Sequence, residues 1–268
     1  MGILEFSWVG SRAHFVDTIS IEPIGHISFG RFGGNSSAGQ YKNEDGCLIW
    51  TNDTKDWEFA VLLDAHQSAE SAELVINQML KNKTKIQNIL SLPTKECFRG
   101  LDEAIPYLFQ EETFRADCQK VAGETACLIV SRKDKYLWWF SIGDCLAFLF
   151  HSELAKLGQY QINQRQFYEW VGRVNTFDQV VPCYSRGVRE LRKGTNRILL
   201  TTDGLVEGPG ESFSTPEDIY TVMENPPIQS GIMELLSTIR ENSVRDSTTV
   251  ICWDIDVSSD VARPSDEG

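Results

Sequence analysis

Apolar residues along this chain fall into two rhythms. The first is a set of short continuous runs: Cys47 to Trp50, Phe59 to Asp64, "TACLIVS" (125–131), "KYLWWFS" (135–141) and "CLAFLFH" (145–151). Runs of this length, rich in aromatic and branched residues and bounded by polar turns, predict buried strands. The turn "TNDTKD" separates the first two, Arg132 to Lys135 separate the next pair, and Gly143-Asp144 precede the last, so 125–151 predicts an antiparallel meander. Two further strands are predicted at Arg197 to Thr202 and Thr248 to Asp256.

The second rhythm has helical spacing. Ala69, Ala72, Ile76, Met79 and Leu80 share one helix face, as do Leu101, Ala104, Ile105, Leu108 and Phe109, and later Ile232, Leu235, Leu236 and Ile239. Pro106 removes an N–H donor inside the second of these, which predicts a kink or a split. Strands grouped apart from helices imply an α+β layered architecture rather than alternating βαβ units. Residues 151–195 have the weakest periodicity and are expected to leave the layers as an excursion, a flap over a site. The polar tail 257–268 is expected to be disordered, leaving one domain over 1–256.

Composition narrows the function classes. A formal net charge of −13 over 268 residues opposes general binding to nucleic acid or anionic membrane, because phosphate would be repelled. No apolar run is long enough to span a membrane, the N-terminus lacks a signal-peptide pattern, and Phe6 stands where a myristoylation signal carries Ser or Thr. A cytoplasmic protein is expected. The seven cysteines form no CxxC pair and several sit in apolar runs, so they read as reduced and structural.

The chemistry lies where the runs end. Glu44 and Asp45 precede the first predicted strand, Asp64 ends the second, Asp144 precedes "CLAFLFH", Asp203 follows "RILLTT", and Asp246 precedes the last strand. Taken alone, each is an ordinary turn residue. Gathered together, their charges would repel and raise one another's pKa unless a cation intervened. An oxygen-only ligand set suits Mg²⁺ or Mn²⁺, and no zinc-type His/Cys spacing accompanies it.

The succession "NEDG", "LLDAHQS", "GETA…SIGDC", "LLTTDG" and "RDSTT" over residues 25–256 resembles the metal-dependent serine/threonine protein phosphatases of the type 2C family. The resemblance implies a four-layer α-β-β-α sandwich of two antiparallel sheets flanked by helices. It also implies two Mg²⁺ or Mn²⁺ ions, with a weaker third ion in many members, and hydrolysis of phosphoserine and phosphothreonine in proteins by a metal-bridging hydroxide. Carried over residue by residue, Asp64 bridges both ions and Ala65 offers its backbone carbonyl. Asp203 and Asp246 hold the first ion, Glu44 the second, and Asp144 matches the acid of the third site. Asp45 would orient metal-bound water, and His66 matches the histidine proposed as general acid.

The sequence departs from the family in places. Gln40 stands where an arginine usually clamps the substrate phosphate, "DGHGG" has become "DAHQS", Ser247 replaces an asparagine, and "GDSR" has become "GDCL". Lys42 is two residues along the same extended segment as Gln40; it is either a substitute phosphate-binding cation or a solvated surface lysine. The expected partner is a phosphoprotein substrate, met by a monomer that binds neither nucleic acid nor membrane. Two alternatives stand beside the protein phosphatase: a catalytically weak relative that acts by binding a partner, and a hydrolase of small phosphomonoesters.

Overall fold

The computed structural model describes residues 2–261. Its strands are β1 (Ile3–Val9), β2 (Ile19–Ile24), β3 (Ile27–Phe32), β4 (Gly46–Asn52), β5 (Trp57–His66), β6 (Glu124–Lys133), β7 (Tyr136–Ile142), β8 (Leu146–Phe150), β9 (Val171–Gly172), β10 (Ser185–Glu190), β11 (Gly194–Thr201) and β12 (Thr248–Val257). The α-helices are α1 (Glu70–Lys81), α2 (Lys83–Leu90), α3 (Thr94–Gln110), α4 (Glu112–Cys118), α5 (Ser152–Ala155), α6 (Pro216–Met223) and α7 (Ile228–Glu241).

Two antiparallel sheets result. The first has seven strands, ordered β1-β4-β5-β6-β7-β10 with β9 paired to β6, and the second has five, ordered β2-β3-β12-β11-β8. Alternation along each strand divides the core into layers, because successive side chains point to opposite faces. Leu62, Leu128 and Val130 meet Phe29, Leu200, Ile251 and Trp253 between the sheets. Their neighbours Val61 and Ile129 face outward onto Ile76 and Met79 of α1 and Leu101 and Ile105 of α3. On the other side Leu199, Val250 and Cys252 pack with Ile219 of α6 and with Ile232, Leu235 and Leu236 of α7. Each of these enclosed side chains contributes about 1.5–3 kcal/mol relative to exposure. The layers are therefore α-β-β-α.

The meander expected over 125–151 is corrected at its last strand. β6 and β7 pair with each other, but β8 pairs with β11 in the opposite sheet. Gly143, at φ +85°, makes the crossing, and a Cβ there would collide with Ala126. That turn sets Asp144 between the two sheets.

The proline in α3 neither splits nor ends the helix, which runs on to Gln110. Pro106 leaves the carbonyl four residues back without its helical donor. That carbonyl, of Asp102, accepts instead from Arg186 Nη1 of β10 at 3.2 Å, while the Asp102 carboxylate takes Arg186 and the Trp138 indole at 3.0 and 2.9 Å.

Residues 151–195 contain α5, β9 and β10 and run partly across the sheet ends. The Gln166 N–H donates to Gly143 O at 2.8 Å and the Arg173 N–H to Gly123 O at 3.0 Å. Of the tail expected from 257, Val257 closes β12 opposite Gly194, and 262–268 lie outside the described residues. All seven cysteines are free thiols, and all but Cys183 are buried. Among the described residues no helix is long and apolar enough to cross a membrane.

Candidate metal centre

Antiparallel pairing explains why acids far apart in sequence meet. In the first sheet, the start of β4, the end of β5 and the start of β6 lie at one edge: Gly46 pairs with Leu63, and Asp64 with Ala126. In the second, the end of β11, the start of β12 and the start of β8 coincide, with Thr201 opposite both Val250 and Leu146. The Gly143 crossing joins these edges. Carboxylate oxygens of Asp64, Asp144 and Asp203 all lie within 4.8 Å of one another.

The donor set fits a hard divalent cation. Every ligand atom is an oxygen. Asp64 Oδ2 and Asp144 Oδ1 are buried without a hydrogen-bond partner, and Asp64 is only 5% exposed. A buried carboxylate oxygen left bare is costly unless a cation or donor completes it. Ala65 lies in extended strand opposite Thr125, and its φ is not positive, so alanine presents its carbonyl there without strain. Gln67 takes the left-handed turn that follows, at φ +71°. The carbonyl of His66 comes so close to Gly123 that a side chain there would clash with it.

Burial is the main force on the acids' protonation. It pushes Asp45 and Asp203 up to about 7 and Asp64 well above the usual carboxylate range; charge repulsion from neighbouring aspartates pushes the same way, opposed at Asp203 by its hydrogen bond with Asp64. Hydroxyl donors at Asp45 partly offset the rise. Burial also raises Asp144 and Asp246, against the pull of Arg165 and His66 on the first and of the Ser247 N–H and His66 on the second. With no cation bound, these acids therefore hold more protons in the folded than in the unfolded chain between about pH 4 and pH 7. Stability of the metal-free protein must fall as pH rises through that window. We expect a lower melting temperature in chelator at pH 8 than at pH 5.5, and a larger rise on adding Mn²⁺ at pH 8. Differential scanning fluorimetry checks both; a flat or reversed trend would contradict them.

Asp45 sits behind the cluster, fully enclosed. Its Oδ1 accepts from the Ser247 hydroxyl at 2.9 Å, and its Oδ2 from Thr249 at 2.6 Å and Thr202 at 3.3 Å. The Thr202 hydroxyl also accepts the Thr249 N–H at 2.9 Å. Ser247 thus ties the start of β4 to the start of β12. Asp246 accepts the Ser247 N–H at 2.9 Å and stands at the solvent edge. His66 is exposed at the end of β5, close enough to bias Asp144 and Asp246.

Gln40 and Lys42, the residues expected to meet the phosphate, lie in different settings. Gln40 is buried, with its side chain against Gly34. Lys42 Nζ donates to Glu44 Oε1 at 2.6 Å and to the Gln67 carbonyl at 2.7 Å. Sequence reasoning missed Arg165: its Nη2 lies 3.7 Å from Asp203 Oδ2 and is paired with Glu207, and its guanidinium lies 4.8 Å from the Phe167 ring centroid. Nothing in the weakly periodic segment around Arg165 marks it; only the pinning of Gln166 to Gly143 brings it here. A separate hollow of about 410 Å³ outside β8 and β11 holds no comparable chemistry. There His151 is committed to Lys193 O and the Glu153 N–H, and Arg197 to Asp254.

Solved structures with this topology decide the fold. A bacterial serine phosphatase superposes with a TM-score of 0.64 over 97% of this chain and 100% of its own, at 15% identity. The type 2C phosphatase fold is therefore the fold of this chain. The catalytic domain of the serine/threonine protein phosphatase PstP, in complex with 2 manganese ions, gives 0.58 over 95% and 100% at 15% identity. RsbX in complex with magnesium gives 0.53 over 88% and 98% at 13% identity. No family model and no curated protein sequence matches the chain.

Proposed function

We propose that this chain is a metal-dependent phosphatase that hydrolyses phosphoserine and phosphothreonine in proteins. The observation that carries the reading is the convergence of Asp64, Asp144 and Asp203 on one point, with buried carboxylate oxygens on Asp64 and Asp144 that have no partner. Asp64, Asp203 and Asp246 would hold the principal ion and Asp144 would help hold another, with Ala65 offering its carbonyl. Divalent ions bound there supply charge neutralisation for the phosphoryl oxygens and acidify the attacking water.

The chain's own groups do the rest. Asp45, locked by Ser247, Thr249 and Thr202, fixes the ends of β4, β11 and β12 relative to one another, so the ligands stay in place as substrate enters. His66, exposed at the rim, is placed to give a proton to the departing serine or threonine alkoxide. Arg165 faces the acids from the excursion and offers its fork to the incoming phosphate, the task left open by Gln40. Arg165→Ala should raise KM for phosphoesters roughly tenfold or more, the equivalent of ~1.4 kcal/mol, and lower kcat much less. Steady-state kinetics checks this, and a changed kcat with unchanged KM would place Arg165 elsewhere in the cycle.

The reading has a direct test. With added Mn²⁺ the protein should hydrolyse p-nitrophenyl phosphate, and in a panel should prefer phosphoserine and phosphothreonine peptides to metabolite phosphates. No turnover on any of these favours a partner-binding relative. Turnover confined to small phosphoesters favours the metabolite hydrolase. A cytoplasmic location and a monomeric state are carried as part of the proposal.

A further inference from the structure

At one end of the acid cluster the chain provides a cation of its own. The Lys42 ammonium is held by a carboxylate oxygen of Glu44 and by the backbone carbonyl of Gln67, at 2.6 and 2.7 Å. The Tyr41 ring lies 5.5 Å from the same nitrogen. Both partners are partly enclosed, with side-chain exposures of 26% for Lys42 and 15% for Glu44. The left-handed turn at Gln67 lies just past Asp64 and Ala65, so the ammonium stands beside the elements that carry the acids. One carboxylate oxygen and one main-chain carbonyl oxygen are also the donor types that a hard divalent ion recruits.

The other end is not balanced in this way. Asp64, Asp144 and Asp203 converge, with buried oxygens of Asp64 and Asp144 that lack partners, and Arg165 approaches only to 3.7 Å of Asp203 while paired with Glu207. Glu44 does not belong to that converging group. A divalent ion seeking Glu44 would have to displace an ammonium already bound to it, against direct charge repulsion. An ion at Asp64, Asp144 and Asp203 meets buried oxygens of Asp64 and Asp144 that hold no partner to displace.

We infer that Lys42 takes the place of one divalent ion: its ammonium, fixed between Glu44 and the Gln67 carbonyl, neutralises the Glu44 end of the site, and ions load only at the aspartate end. The inference rests on the reading of this cluster as a metal centre. It gives Lys42 a structural charge role in place of phosphate binding, and removes Glu44 from the ligands used by the wild-type protein.

Counting ions tests it without reference to turnover. Metal-stripped protein is titrated with Mn²⁺ alone, and bound metal is followed by calorimetry and by atomic absorption after desalting, for wild type, Lys42→Met, Glu44→Gln and Asp203→Asn. Lys42→Met should take up one Mn²⁺ more per chain than wild type, because Glu44 is then free to bind. Glu44→Gln should keep the wild-type count, with affinities within about twofold. Asp203→Asn should lose an ion. Equal counts for wild type and Lys42→Met would overturn the inference, as would loss of an ion or tenfold weaker binding in Glu44→Gln. A wild-type protein that binds no Mn²⁺, or an Asp203→Asn variant that binds as wild type does, would instead overturn the reading beneath it.

Discussion

Asp203→Asn should lower Mn²⁺-supported hydrolysis of p-nitrophenyl phosphate by about a thousandfold, ~4 kcal/mol of transition-state stabilisation, and Asp246→Asn should do the same. Both acids stand where strands of the second sheet meet the site: Asp203 just after β11, Asp246 just before β12. An amide keeps nearly the same volume, so packing survives, but it cannot supply the charge that holds the ion. Stability separates this cause from misfolding. Asp203 is pushed up to about 7, chiefly by burial, so at pH 8 its ionised form opposes folding when no metal is present. The metal-free Asp203→Asn variant should melt above wild type at pH 8 and gain little on adding Mn²⁺. Near-normal rate and near-normal Mn²⁺ stabilisation in either variant would remove that residue from the ligand set.

The largest effect on stability should come from Asp45. Asp45→Ala strips the acceptor from the hydroxyls of Ser247, Thr249 and Thr202 in a place closed to water. An unsatisfied buried hydroxyl costs roughly 1–3 kcal/mol, so the variant should lose about 3 kcal/mol or more in urea unfolding. Asp45→Asn keeps one carbonyl acceptor, and a hydroxyl can turn to accept from the new amide. It also removes a buried charge whose pKa burial has lifted to about 7. The asparagine variant should therefore unfold at wild-type urea concentrations or above at pH 8. Equal losses for alanine and asparagine would mean that the charge of Asp45, and not its acceptor geometry, holds the sheet ends together.

The sequence shows some of this architecture and hides the rest for physical reasons. β4 to β8, β11 and β12 are legible because they are buried on both faces and read as unbroken apolar runs. β1 escapes such a reading because it is an edge strand with Ile3 and Leu4 partly exposed, and β10, "SRGVRE", because its polar residues are placed by pairing with β7, Arg186 opposite Phe140 and Arg189 opposite Leu137, rather than by burial. The sheet to which β8 belongs depends on one positive-φ glycine, Gly143, which no periodicity reports. The acids were legible because strand ends are where antiparallel sheets converge. Of the cations, Lys42 stood out by its place beside Gln40 but not its partners, since its ammonium is fixed by a carbonyl from a turn remote in sequence, and Arg165 did not stand out, because it is brought in by a backbone hydrogen bond of its neighbour.

The central claim is that strand ends from both sheets build a divalent-cation site at which phosphate esters are cleaved. Its most direct test is hydrolysis of a phosphothreonine peptide by protein stripped with chelator, dialysed, and then titrated with Mn²⁺. The account predicts no turnover before metal is added and a saturable rise as Mn²⁺ is restored. Undiminished turnover in the stripped protein, or none at any Mn²⁺ concentration while the ion demonstrably binds, would contradict it.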